Sequence, residues 1–159
     1  MNHIICFHNP DEEYGYLSNW YPSFFTIDGI AFSSVEQFMM YRKAICFHDN
    51  NIAAQILETD DAAHIKDLGR RVSGYDENIW YGVRQLVVYE GLLAKFSQNT
   101  KLKEQLKAIG NAILAECAVK DHIWGIGLSM NDSDRYDREK WKGKNLLGYA
   151  LMMARDRVR

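Results

Sequence analysis

The spacing of apolar and polar positions changes character along the chain. The opening third is punctuated and strand-like. Ile4–Phe7 is a short apolar run, and "FFTIDGIAF" holds Asp28-Gly29 between apolar flanks. A tight hairpin turn needs positive φ, which Asp-Gly supplies, so this segment predicts a β-hairpin. "SSVEQ" then offers a helix start in two registers: Ser33 as N-cap with Glu36 at the third helical position, or Ser34 with Gln37 there. From Asn50 helical spacing dominates. "NNIAAQILE" and "DDAAHIKDLGRRV" predict two helices, the second ended or bent at Gly69. The longest periodic segment predicts a helix over Glu77–Phe96, with an apolar face of Trp80, Val83, Leu86, Val87 and Leu93. "TKLKEQLKAIGN" predicts a short helix capped by Thr100 and stopped by Gly110, "AILAECAV" a strand, and "KNLLGYALMMARDRV" a closing helix.

The helix "SVEQFMMYRKAICF" poses a question. It is apolar enough for a core, yet it carries Glu36 and Lys43. At about 100° per residue, seven steps return to within roughly 20° of the starting direction. The two charges therefore share one stripe, roughly 10 Å apart along the axis. Either both heads reach a shared polar cavity, or Glu36 supports the first turn while Lys43 extends to water.

At 159 residues, the chain is expected to form one domain with one core, spanning residues 1–159. It is 47% hydrophobic and 25% charged, a globular composition. No apolar stretch approaches the roughly 18 residues of a membrane helix, and "MNHIICFHNPDEEY" lacks the features of a secretory leader. Cys6, Cys46 and Cys117 are scattered and form no CxxC, which predicts reduced thiols and a cytoplasmic location. A net charge of −2 argues against indiscriminate binding to a phosphate backbone.

Candidate chemistry concentrates in "KDHIWGIGLSMNDSDRYDREKWKGKN". Gly125 and Gly127 follow Trp124, with Asp121 three residues before it, and "GKN" at the start of the last helix has the form of an anion-binding entrance. It is not a P-loop. The five histidines form no HExxH, no cysteine pair completes a zinc site, and neither GxSxG nor a strand-borne GxGxxG is present. No metal or cofactor is expected.

"YLSNWYP", "FTIDGIAFSSVEQFMMYRKA", "KDLGRRV", "LLAKFSQN", "ILAEC", "KDHIWGIGL" and "GKNLLGYALMMAR", in that order from Tyr16 to Arg155, resemble the YbiA-like or NADAR (NAD- and ADP-ribose-associated) family. The resemblance implies an α+β fold: a single compact, helix-rich domain with a small sheet that includes the N-terminal hairpin. It implies N-glycosidase activity toward ribosylated bases. The substrate would be small and phosphoribosylated, as in riboflavin synthesis, or ADP-ribosylated, with ADP-ribosyl-guanine in nucleic acid possible; a non-catalytic ADP-ribose-binding module is a third reading. No membrane partner follows, and the oligomeric state is not read.

Carried over position by position, the resemblance places catalytic roles on Glu36, Lys43 and Asp121. It places substrate contacts on Asn19, Trp80, Trp124, Gly125 and Asn145, and a phosphate contact on Arg70. The stacking aromatic falls on Trp80, or on Tyr75 or Tyr81 beside it. The chemistry suits these types. Breaking a ribosyl C1–N bond builds an oxocarbenium-like cation that a carboxylate stabilises, and the departing base needs a proton. The lysine either tunes the carboxylate or attacks an opened-sugar aldehyde through a Schiff base.

Overall fold

A computed structural model describes residues 3–158. By backbone contacts the chain groups into two compact units: Pro22–Asn99, and the segments up to Tyr21 and from Thr100 onward. Together they hold six α-helices and two two-stranded sheets among the described residues.

Pro22–Asn99 opens with the expected hairpin, β2 (Phe25–Ile27) paired antiparallel with β3 (Ile30–Phe32). Asp28 and Gly29 take φ of 51° and 78°, the positive values a two-residue turn requires. The hairpin is a sheet by itself. Its outer edge is closed by a side chain: the Gln98 amide accepts from Thr26 N and donates to Thr26 O, both at 2.8 Å. Backbone groups that would invite another strand are thereby satisfied.

Four helices follow: α1 (Val35–Cys46), α2 (Asn50–Leu57), α3 (Ala62–Arg70) and α4 (Glu77–Gln98). Asp49, Asp61 and Asp76 cap the last three, each accepting backbone N–H bonds of the first turn. α1 packs against α2, α3 and α4. Its Phe38 meets Phe25 and Phe32 in edge-on ring contacts or near to them. Gly69 does not end α3, which runs on to Arg70. It lies inside the helix with its missing Cβ facing the Met40 side chain, so it is a packing glycine. α4 turns Trp80 and Val87 of the expected face inward, but Leu86 is exposed, and Arg84, Val88, Gly91 and Lys95 are buried as well.

The other unit is built on a parallel pair, β1 (Ile4–Phe7) with β4 (Ile113–Glu116), Ile4 opposite Ile113 and Phe7 opposite Glu116. α5 (Thr100–Ala108) starts at Thr100 itself and is followed by Gly110 at φ 59°. α6 (Leu146–Arg157) lies on β4 so closely that a Cβ on Gly148 would strike Leu114 O. No helix among the described residues is long and apolar enough to cross a membrane.

Candidate active site

In Pro22–Asn99 the two possible helix starts resolve in favour of Ser34. Its hydroxyl accepts from Gln37 N at 3.1 Å, and Gln37 Oε1 accepts from Ser33 N at 2.7 Å. Gln37 Nε2 donates onward to Ile56 O and Thr59 O. The capping pair is therefore Ser34 with Gln37, and Glu36 sits at the second position of α1, only 5% exposed. A carboxylate in that position is costly without compensation, and the positive end of the helix dipole and the cation on its own stripe both supply it.

That cation is Lys43. Desolvation holds its amine below the ordinary lysine value, against the raising pull of Glu36, and Arg70 adds to the lowering. The ammonium lies 4.6 Å from the centroid of the Tyr75 ring. Tyr75 stacks edge-on to Phe47 at 5.4 Å and is largely exposed. Desolvation and the neighbouring Tyr81 and Glu77 raise its phenol. Tyr81 in turn carries the Arg84 guanidinium 3.7 Å over its ring. Trp80 stands apart from this exposed aromatic group, 6% exposed on the inward stripe of α4. Arg70 is exposed at the end of α3, whereas Arg71 is paired with Asp67 at 3.4 Å.

The other unit gathers Asp121, Trp124, Gly125 and Asn145 in one braced loop. Asp121 Oδ1 accepts from Ile123 N at 3.0 Å and Trp124 N at 2.8 Å. The carbonyls of His122, Ile123, Trp124 and Gly125 accept from the backbone of Lys144, Leu146, Leu147 and Asn145. The expected anion entrance at "GKN" is thus corrected: its amides are spent on the Trp-Gly loop. Asn145 is wholly buried, with Nδ2 donating to Leu114 O at 2.8 Å and Oδ1 accepting from Glu116 N at 3.1 Å. Its positive φ of 54° aims the amide at β4. Gly125 packs against Glu116 O and the Ala118 side chain, leaving no room for a Cβ. Asn19 is buried too, and its Oδ1 has no hydrogen-bond partner among the described residues, an acceptor of the kind a sugar hydroxyl satisfies.

A model of the NADAR domain matches residues 6–159. The chain belongs to the NADAR family. Among its relatives, the NADAR chain is 40% identical over 145 residues to N-glycosidase R617 of Acanthamoeba polyphaga mimivirus, covering 88% of this chain and 85% of that one. It is 34% identical over 158 residues to riboflavin biosynthesis protein VVA0006 of Vibrio vulnificus, covering 99% of this chain but 39% of that protein. The solved structure of Escherichia coli YbiA superposes with a TM-score of 0.80 at 29% identity, over 98% of this NADAR chain and 84% of that one. A sequence relative from the same organism is named N-glycosidase YbiA.

Two buried cations escaped the sequence reading. Arg84 is 7% exposed and Lys95 not at all, and burial pushes the Lys95 amine down to about 7. The signal was present: both fall on the i, i+4, i+7 stripe that starts at Trp80, the same reasoning that singled out Glu36 and Lys43. Among the described residues no group of three His, Cys, Asp or Glu is placed to hold a metal ion.

Proposed function

We propose that this NADAR protein hydrolyses the C1–N bond between ribose and a base, with a phosphoribosyl-aminopyrimidine of riboflavin biosynthesis as its substrate. The observation that carries the reading is Glu36, buried in the first turn of α1 beside a Ser34–Gln37 cap and in electrostatic reach of a desolvated lysine. As C1–N lengthens, positive charge grows on C1 and O4′ of the sugar. The Glu36 carboxylate stabilises that charge and orients the water that attacks C1. Glu36 pulls the Lys43 amine up, but desolvation prevails, and that weakened hold on a proton suits Lys43 to pass one to the departing nitrogen. The exposed Tyr75 ring offers the pyrimidine a stacking face, a role its exposure suits better than that of buried Trp80. Arg70 is the cation for the phosphate. Asp121 we assign to bracing the Trp-Gly loop through Oδ1, and Asn145, whose amide bonds Leu114 O and Glu116 N, to fixing the start of α6 on β4.

Two observations favour the small substrate over nucleic acid. One relative carries a riboflavin-biosynthesis name. Within the basic stretch "RYDREKWKGK", Lys140 is already paired with Asp134 at 2.8 Å and lies 4.0 Å from Asp137, so that cation is not open to a phosphate backbone. The test offers purified protein a phosphoribosyl-aminopyrimidine and, separately, an ADP-ribosyl-guanine oligonucleotide. Free aminopyrimidine released by wild type and abolished in Glu36→Gln, at unchanged melting temperature, is the expected result. ADP-ribose released from the oligonucleotide with the pyrimidine left intact would overturn the substrate assignment. A fully active Glu36→Gln would overturn the role of Glu36.

A further inference from the structure

β1 and β4 bring two of the three cysteines together. Cys6 lies opposite Ala115, and Cys117 follows two residues later on the same side, with its N–H donating to Phe7 O at 2.8 Å. Both thiols are buried in one cluster with Ala115, Ile126 and Leu128, against which Met130 and Trp141 pack. Cys117 Sγ donates to Ala115 O at 3.9 Å, and the two thiols are near enough to perturb each other's titration. Cys6 also lines a cavity of about 660 Å³, together with Glu12, Tyr14, Met130 and Tyr136.

Arg135 completes the group. Its terminal nitrogens are occupied, one donating to Asp132 O at 2.9 Å and the other to the Tyr136 hydroxyl at 3.0 Å. Its Nε is buried with no hydrogen-bond partner among the described residues. A buried donor without an acceptor is costly, and an anion formed beside it relieves that cost. The neighbouring Cys117 thiol and the charge of Arg135 hold the Cys6 thiol below its ordinary value against the effect of burial, while Cys117 is pushed up.

We propose that Cys6 and Cys117 are a peroxide-reactive dithiol, with Cys6 the attacking thiolate at the cavity wall and Cys117 the thiol that resolves it. The Cys6 sulfur attacks one oxygen of a hydroperoxide; an S–O bond forms, the O–O bond breaks, and hydroxide (or alkoxide) leaves and takes up a proton. Sulfur is oxidised by two electrons and the peroxide reduced. Cys117 sulfur then attacks the Cys6 sulfenic acid; the S–S bond forms, S–O breaks, and the hydroxide leaves with the thiol proton as water. The bridge ties β1 to the residue after Glu116, whose backbone holds both Ile126 N and the Asn145 amide.

The experiment treats the native protein with hydrogen peroxide, blocks free thiols, and maps the digest by mass spectrometry. The expected product is one cross-linked pair carrying Cys6 and Cys117, lighter by two hydrogens and reversed by dithiothreitol, while half-exposed Cys46 stays free. In Cys117→Ser, dimedone labels Cys6; in Cys6→Ser, Cys117 survives the same dose. Equal loss of Cys117 in Cys6→Ser overturns the order of events. If the serine variants do not fold, the wild-type map decides: peroxide that consumes Cys46 and leaves Cys6 and Cys117 unlinked overturns the proposal.

Discussion

Replacing Lys95 by methionine removes a charge from the interior at nearly constant bulk. Lys95 is fully buried, and desolvation lowers its pKa from 10.5 to about 7 in the folded protein. In the unfolded chain the amine titrates near 10.5. Below about pH 7 both states hold the proton, and the whole cost of burying the ammonium weighs on folding. Between about pH 7 and 10.5 the unfolded state binds more protons, so stability rises with pH. The slope approaches about 1.4 kcal/mol per pH unit, with a ceiling on the order of 5 kcal/mol across the window. Lys95→Met has no such term. It is expected to be more stable than wild type at pH 7, with the advantage shrinking steadily toward pH 10. Urea denaturation of both proteins at half-unit pH steps measures the difference, and other titrating groups cancel in the comparison. A difference that stays flat from pH 7 to 10 would refute the reasoning, because it would show Lys95 keeping its proton in the fold.

Asp121→Asn preserves the acceptor that holds Ile123 N and Trp124 N, so turnover within a few-fold of wild type is expected, whereas Asp121→Ala should lower the melting temperature by losing about 1–3 kcal/mol. A drop of about 10²-fold or more in the Asn variant at unchanged stability would mark Asp121 as an acid–base group instead. Tyr75→Phe keeps a ring beside Lys43 and should leave KM nearly unchanged, while Tyr75→Ala should raise it roughly tenfold, the scale of one stacked base. An unchanged KM in Tyr75→Ala, measured with the aminopyrimidine substrate, would remove the ring from the site.

Local chemistry made much of the fold legible. Asp28-Gly29 demanded a hairpin, and the run from Glu77 demanded a long helix; both are present, the helix extended to Gln98. What escaped depended on partners distant in sequence. Gly69 has the look of a helix breaker until Met40 is placed opposite it. The amides before α6 look free until the carbonyls of the Trp-Gly loop fold back onto them. The hairpin could not be known as a separate sheet before Gln98 was seen closing its edge. For the candidate site, the stripe argument singled out Glu36 and Lys43 because they share one face of the largely apolar α1. Applied equally to α4, whose expected apolar face already held Trp80, it would have found Arg84 and Lys95.

The strand pairing imposes an order of events on synthesis. β1 leaves the ribosome early, but its partner begins only at Ile113, and Pro22–Asn99 emerges complete between them. That middle unit carries its own hairpin and four mutually packed helices, so it can close while the chain is still being made. The Ile4–Phe7 segment must meanwhile remain unpaired, an apolar stretch waiting for Ile113–Glu116. Loop closure over so long a separation is slow relative to the local contacts of helices. The interval in which a nascent chain exposes β1 is therefore set by translation speed, and within it the protein is most open to chaperones and to mispairing.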